Sequence, residues 1–149
     1  MMHTIIAQRK HAEAWAQLRH ALWPDTSLEN HLQDIRDTLD QDNPDAVTFV
    51  AESSIGQIGG FAEAALRRDY VNGCSTSPVL FLEGIFVSPE YRQHGVARLL
   101  CEAIANWGRE KGCTEFASDV SLENLDSQNF HAALGFDETE RVIFYRKPL

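Results

Sequence analysis

Positive charge is scarce in this sequence: 13 Lys and Arg stand against 22 Asp and Glu, a net charge of −9. Phosphate backbones are held by basic surface, so a nucleic-acid partner is disfavoured. The same surplus of carboxylates attracts cations. Cysteine is sparse as well. Cys74, Cys101 and Cys113 are odd in number and lack metal-ligand spacing, which argues against a disulfide framework or a zinc site. They read as small packing residues or free thiols, and no metal is expected. Long apolar runs are also missing. The start, MMHTIIAQRKHAEAW, is interrupted by His3, Gln8, Arg9 and Lys10, too early for a signal peptide. No later stretch approaches the roughly 18 uninterrupted apolar residues of a membrane span. A cytoplasmic location without a membrane partner is expected. There is no linker, repeat or low-complexity tract, and 149 residues with 44% hydrophobic content fit one domain, 1–149.

What is present is periodic. Residues 4–8 read as a first strand. Ala12, Trp15, Leu18 and Leu22 recur at helical spacing until Pro24 and Asp25 end the pattern. Thr26 and Glu29 make a capping box for a second helix through Leu28, Leu32, Ile35 and Leu39. Strands are expected over 46–53 and about 57–69, a turn-rich loop over 71–78, and an apolar central strand over 79–87. A helix follows on Val96, Leu99, Leu100, Ala103, Ile104 and Trp107. Residues 114–120 then form a strand, 125–134 a helix closed by Gly135, and 140–147 a final strand. The expected order is β-α-α-β-β-β-α-β-α-β.

The junction between strand and helix, V87-S-P-E-Y-R-Q-H-G-V-A-R-L-L100, carries the most specific chemistry. A helix start exposes unpaired N–H groups and the positive end of the macrodipole, which together bind anions. Within the segment Arg92, Gln93, His94, Gly95, Val96 and Ala97 satisfy R-x-x-G-x-A. Gly95 has no side chain to block a diphosphate, and Ala97 is nearly as small. Arg92 and Arg98 add charge at the rim, and His94 can face the phosphates.

With that motif the chain resembles the GNAT acetyltransferases, whose acetyl-CoA signature follows the fourth strand. The resemblance covers the whole chain in its order of elements. It implies an α/β (α+β) fold: a mixed, mostly antiparallel sheet flanked by helices, with central strands that splay apart. Acetyl-CoA would lie in the gap as co-substrate, its pantetheine bonding to Ile85, Phe86 and Val87 like an added strand. A second family block matches N124-L-D-S-Q-N-F-H-A-A-L-G-F136 at Asn124 and Ser127. The usual tyrosine, proposed in that family to protonate the departing thiolate, is replaced by His131. Histidine can do the same work.

Several segments, among them LRHALWPD, YVNG, SPVLFLEGIFV, CTEFASD and LGFDETERVIFYRK, further resemble bacterial aminoglycoside 6'-N-acetyltransferases. Glu83 interrupts an apolar strand, where a carboxylate is costly unless it meets a cation or a donor. A neighbouring arginine would satisfy it as well as a substrate amine would. The resemblance gives Asp119 to the substrate amines and Glu83 to the same pocket, with Trp23 and Tyr70 as walls and Glu140 on the acidic rim. An ammonium cannot attack a thioester, so a carboxylate must first take its proton, Asp119 being the first choice of base and Glu83 the second. A polyamine, a peptide amine or a small metabolite would also suit an acidic pocket, and a non-catalytic acyl-CoA-binding module is the alternative from another class. The resemblance further implies a homodimer with the C-terminal strand region exchanged or packed between subunits, where Val142, Phe144 and Tyr145 leave an apolar edge.

Overall fold

Alternation along the strands sets the architecture. On β2 (Ala46–Ser53) and β3 (Ile58–Arg67), Val50 and Phe61 face one side of the sheet while Ala51 and Ala62 face the other. A computed structural model describing residues 1–149 shows both faces covered by helices. Val50 and Phe61 join Trp15, Ala16 and Leu18 of α1 (Ala12–Leu22) and Ile35 of α2 (Leu28–Gln41) in one core. Ala51, Ala62, Leu80 and Leu82 pack with Val96, Leu100 and Ile104 of α3 (Val96–Glu110) in the other.

The sheet runs β1-β2-β3-β4-β5 in spatial order, with β1 at Met2–Ile6, β4 at Val79–Val87 and β5 at Phe116–Ala117. The first four strands pair antiparallel, and β5 is parallel to β4 after the crossover through α3. The chain continues into α4 (Leu125–Ala133). The expected mixed, mostly antiparallel sheet flanked by helices is therefore present.

Two irregularities of β4 position the site. Its ladder to β5 holds only two pairs, Leu80 with Phe116 and Phe81 with Ala117, after which the strands part. The expected strand 114–120 is thus reduced to two residues. On the other side, the β3 register jumps from Glu63–Gly84 to Ala64–Leu82, leaving Glu83 as an extra residue in a bulge. Bulges re-aim side chains and frequently border active sites.

Two further expectations are corrected. Ser27, not Thr26, caps α2, its hydroxyl accepting from the Asn30 N–H at 3.1 Å. The Thr26 N–H instead closes the preceding turn onto the Trp23 carbonyl. The expected strand over 140–147 does not form within this chain. A strand needs a partner, and two-residue β5 offers the tail almost no edge; Ile143, Phe144 and Tyr145 lie 75%, 86% and 91% exposed.

Candidate active site

Where β4 and β5 separate, a cleft of about 150 Å³ opens. It is lined by Trp23 from the end of α1, Glu83 and Ile85 from β4, Asp119 beyond β5, and Ser127 and His131 from α4. Leu22, Leu82, Gly84, Ser118, Val120 and Asn124 complete it. Residues far apart in sequence thus converge because one ladder stops after two pairs.

Trp23 reaches the cleft through a buried polar network. Trp15 Nε1–H donates to Glu63 at 2.8 Å, and Arg19 Nη1 donates to both Glu63 oxygens at 2.9 and 2.7 Å. Arg19 also donates from Nε to His31 Nδ1 at 3.2 Å. An arginine can only donate, so His31 carries its proton on Nε2 and gives it to the Trp23 carbonyl at 3.0 Å. Trp23 and His31 rings stack, with centroids 6.4 Å apart. Burial pushes the Glu63 carboxyl above its ordinary range, opposed by Arg19 and the Trp15 hydrogen bond.

Glu83 is exposed on its bulge and accepts from Arg67 Nη2 at 3.1 Å through each oxygen. The neighbouring-arginine expectation is met, yet Glu83 still lines the cleft. Arg67 itself lies over the Phe81 ring, 3.5 Å from its centroid. Asp119 is exposed and has no ion-pair partner.

His131 is held on both nitrogens. Nδ1 lies 2.7 Å from the Ser127 carbonyl and Nε2 2.8 Å from Ser118 Oγ. A carbonyl only accepts, so the proton sits on Nδ1, and neutral Nε2 accepts from the Ser118 hydroxyl. Asn124 caps α4 by accepting from the Ser127 N–H at 3.1 Å. Ser118 was absent from the sequence-derived set. Its signal, a hydroxyl beside Asp119 in FASD, gains meaning only once α4 is folded against it.

Next to the cleft, β4 from Gly84 to Val87 pairs with β3 alone, so its other edge is open for an extended ligand. Beyond it, the turn into α3 puts Gln93 at φ 64° and Gly95 at φ 76°, both left-handed. Gly95 caps α3 with no side-chain cap, and a Cβ there would meet nothing within 4 Å. Exposed N–H groups, helix polarity and open space fit a diphosphate. Val96 is buried, so only its backbone can serve the anion, and Ala97 packs against the core. Gln93 and His94 are exposed on the turn. The two arginines are exposed at the rim of the turn, and each also holds a backbone carbonyl. Arg92 donates to the Val87 carbonyl at 2.8 Å and sits beside Phe86, bracing the turn. Arg98 donates to the Ala133 carbonyl at the end of α4.

The acetyltransferase (GNAT) family model matches residues 13–136. The chain belongs to the GNAT acetyltransferase family. Among its GNAT relatives, an aminoglycoside N(6')-acetyltransferase type 1 of Salmonella typhimurium is 53% identical over 139 residues, 93% of this chain and 94% of the relative. One of Serratia marcescens is 48% identical over 97% of this chain and 98% of the relative. A solved structure of AAC(6')-Iy with the bisubstrate analog CoA-S-monomethyl-acetylneamine superposes with a TM-score of 0.91 at 50% identity, covering 100% and 99% of the two chains. AAC(6')-Ih from Acinetobacter baumannii gives 0.94 at 41%, with the same coverage.

Two expected substrate residues fall outside the cleft lining of this GNAT chain. Tyr70 is 73% exposed on the loop before β4, and Glu140 lies on the exposed tail. Thr139 packs against Gly73, which brings tail and loop together. No helix is long and apolar enough to cross a membrane, and no cluster of His, Cys, Asp or Glu is arranged to hold a metal ion.

Proposed function

We infer that the protein transfers acetyl from acetyl-CoA to the 6'-amine of aminoglycoside antibiotics and so confers resistance to them. The observation that carries this reading is one cleft in which the open β4 edge meets two carboxylates, Glu83 and Asp119, beside the Trp23 wall. Relatives named for that activity, matching nearly end to end, support the choice of acceptor.

Acetyl-CoA supplies a thioester, activated for attack at its carbonyl carbon. Ile85, Phe86 and Val87 hold the co-substrate along β4, while backbone from Gln93 to Arg98 holds its diphosphate. Asn124 and Ser127 border it from α4. An aminoglycoside carries several ammonium groups, so two carboxylates both attract it and orient it. Glu83, already tied to Arg67, anchors a neighbouring amine. Asp119 is unpaired and takes the proton of the reacting ammonium, directly or through water. The free amine then attacks, and backbone N–H groups at the bulge polarise the carbonyl. No covalent enzyme intermediate is needed. His131, with no proton on Nε2, serves the departing sulfur only through a neighbouring group.

Replacing Asp119 by Asn is expected to lower kcat roughly 10²-fold, the scale of general-base catalysis. Glu83→Gln is expected to act mainly on acceptor KM. Full activity in the Asp119 variant would move the base to Glu83 or to solvent.

The protein works in the cytoplasm, which its three free cysteines and its acetyl-CoA requirement support. Its partner is a second copy, packed through the apolar tail of Val142, Ile143, Phe144 and Tyr145. Tyr70 and Glu140 then form the outer wall and acidic rim of the acceptor site. Light scattering of the full chain checks this: twice the 16.8 kDa chain mass supports it, and the chain mass alone rejects it.

A further inference from the structure

Ser118 occupies the first position at which β4 and β5 fail to pair. The last ladder pair is Phe81 with Ala117; one residue on, the Ser118 side chain replaces the backbone bond, its Oγ 3.4 Å from the Leu82 carbonyl. On its other side Oγ lies 2.8 Å from His131 Nε2. Ser118 therefore stands between His131 and the fork where the acyl donor must lie.

The His131 tautomer decides what this arrangement can do. With Nδ1–H on the Ser127 carbonyl, neutral His131 has no proton on Nε2 and cannot itself act as an acid there. It can accept one. Both protonation states leave every group satisfied. When His131 is neutral, Ser118 O–H donates to Nε2. When His131 is an imidazolium, Nε2–H donates to Oγ and the hydroxyl turns to the Leu82 carbonyl or into the cleft. The Ser127 carbonyl accepts from Nδ1–H in either state. The ring is fixed by Phe136, its centroid 5.3 Å away, and by Phe130 at 6.0 Å.

We propose that Ser118 is a catalytic residue that carries the amine's second proton to the departing sulfur, with His131 behind it as the temporary store. This rests on the acetyl-transfer reading above. Asp119 removes the first proton from the ammonium. The amine then attacks, forming the C–N bond, moving the carbonyl π pair onto oxygen and leaving nitrogen positive. That nitrogen gives a proton to Ser118 Oγ while the Ser118 hydroxyl proton passes to His131 Nε2. The oxygen pair re-forms the carbonyl, the C–S bond breaks, and sulfur leaves with its electrons. Sulfur takes a proton from Ser118 as Nε2–H returns to Oγ. Of the two protons lost by the ammonium, one ends on the base and one on the thiol, and both side chains recover their starting state.

Ser118→Ala, His131→Ala and the double variant test the relay, with the amine that the wild type turns over fastest as acceptor. Each single change is expected to lower kcat roughly 10²-fold, with both KM values little altered. The double variant should be no slower than the worse single, because the two act as one unit. In mixtures of light and heavy water the wild-type kcat should follow a bowed curve, reporting more than one proton in motion, and Ser118→Ala a straight line. Ser118→Thr, which keeps the hydroxyl, should recover most of the rate. Wild-type kcat in Ser118→Ala, or multiplicative losses in the double variant, overturns the proposal. Because any accepted amine serves, such a failure leaves the aminoglycoside reading standing. A wild type active only on other amines would overturn that reading alone.

Discussion

Trp23 lies across β4 at Gly84, so close that a Cβ on Gly84 would come within 2.5 Å of the indole carbons Cζ2 and Cη2. Any side chain at 84 would push the indole aside. The glycine is therefore needed for contact, and it stands next to the bulged Glu83. Gly84→Ala is expected to raise acceptor KM several-fold, with acetyl-CoA KM nearly unchanged. Overpacking of this kind also costs about 1–3 kcal/mol of stability. Steady-state kinetics in both substrates checks the split.

The same tryptophan depends on Glu63, one helix and one strand away in the chain. Glu63→Ala would leave Arg19, 15% exposed, without its buried partner. Losing one member of such a pair costs about 3–5 kcal/mol, which for a chain of this size lowers Tm by roughly 10 °C. Glu63→Gln keeps an acceptor for Trp15 and Arg19 and should lose less. Thermal melts of the two variants compare directly.

Gly95 opens α3 at φ 76°, where L side chains carry a penalty of about 1–2 kcal/mol. There is room for a Cβ, so backbone conformation alone is at stake. Gly95→Ala is expected to weaken acetyl-CoA binding by roughly ten-fold, the equivalent of about 1.4 kcal/mol. Acceptor KM should hold. Calorimetric titration with CoA reads the change without turnover.

Cysteine chemistry should be silent. Burial pushes the Cys101 thiol up to about 11, and the Cys74 and Cys113 thiols are raised as well. Since the thiolate is the reactive form, at pH 8 only about one Cys101 in a thousand is ionised, and reactivity should rise toward pH 11. Iodoacetamide at pH 8 is expected to modify half-buried Cys74 before Cys101, with acetyl transfer preserved. Peptide mass mapping against residual activity settles the order.

The phosphate turn was legible in the sequence because all of it is local: strand, tight turn and helix follow one another from Val87 to Leu100. Glu83 was legible through chemistry, since a carboxylate in an apolar strand is costly unless it meets a cation or a donor, whereas Asp119 came from the family resemblance. Three features were not. The bulge that aims Glu83 depends on register with β3, and register is a property of two strands. The Glu63–Arg19 network spans 44 residues, so neither partner announces the other. Ser118 looked like an ordinary strand residue until α4 placed His131 against it. The tail erred in the opposite direction: its apolar pattern reads as a strand, but pattern cannot supply the partner that makes one.

The most direct test is acetyl transfer to a panel of aminoglycosides that differ at the 6' position, with spermidine as a non-aminoglycoside amine. The cleft with Trp23, Glu83 and Asp119 predicts rapid turnover of acceptors bearing a 6'-amine and none of those bearing a 6'-hydroxyl. Equal turnover of both aminoglycoside classes, or faster acetylation of spermidine than of any 6'-amine, would contradict it.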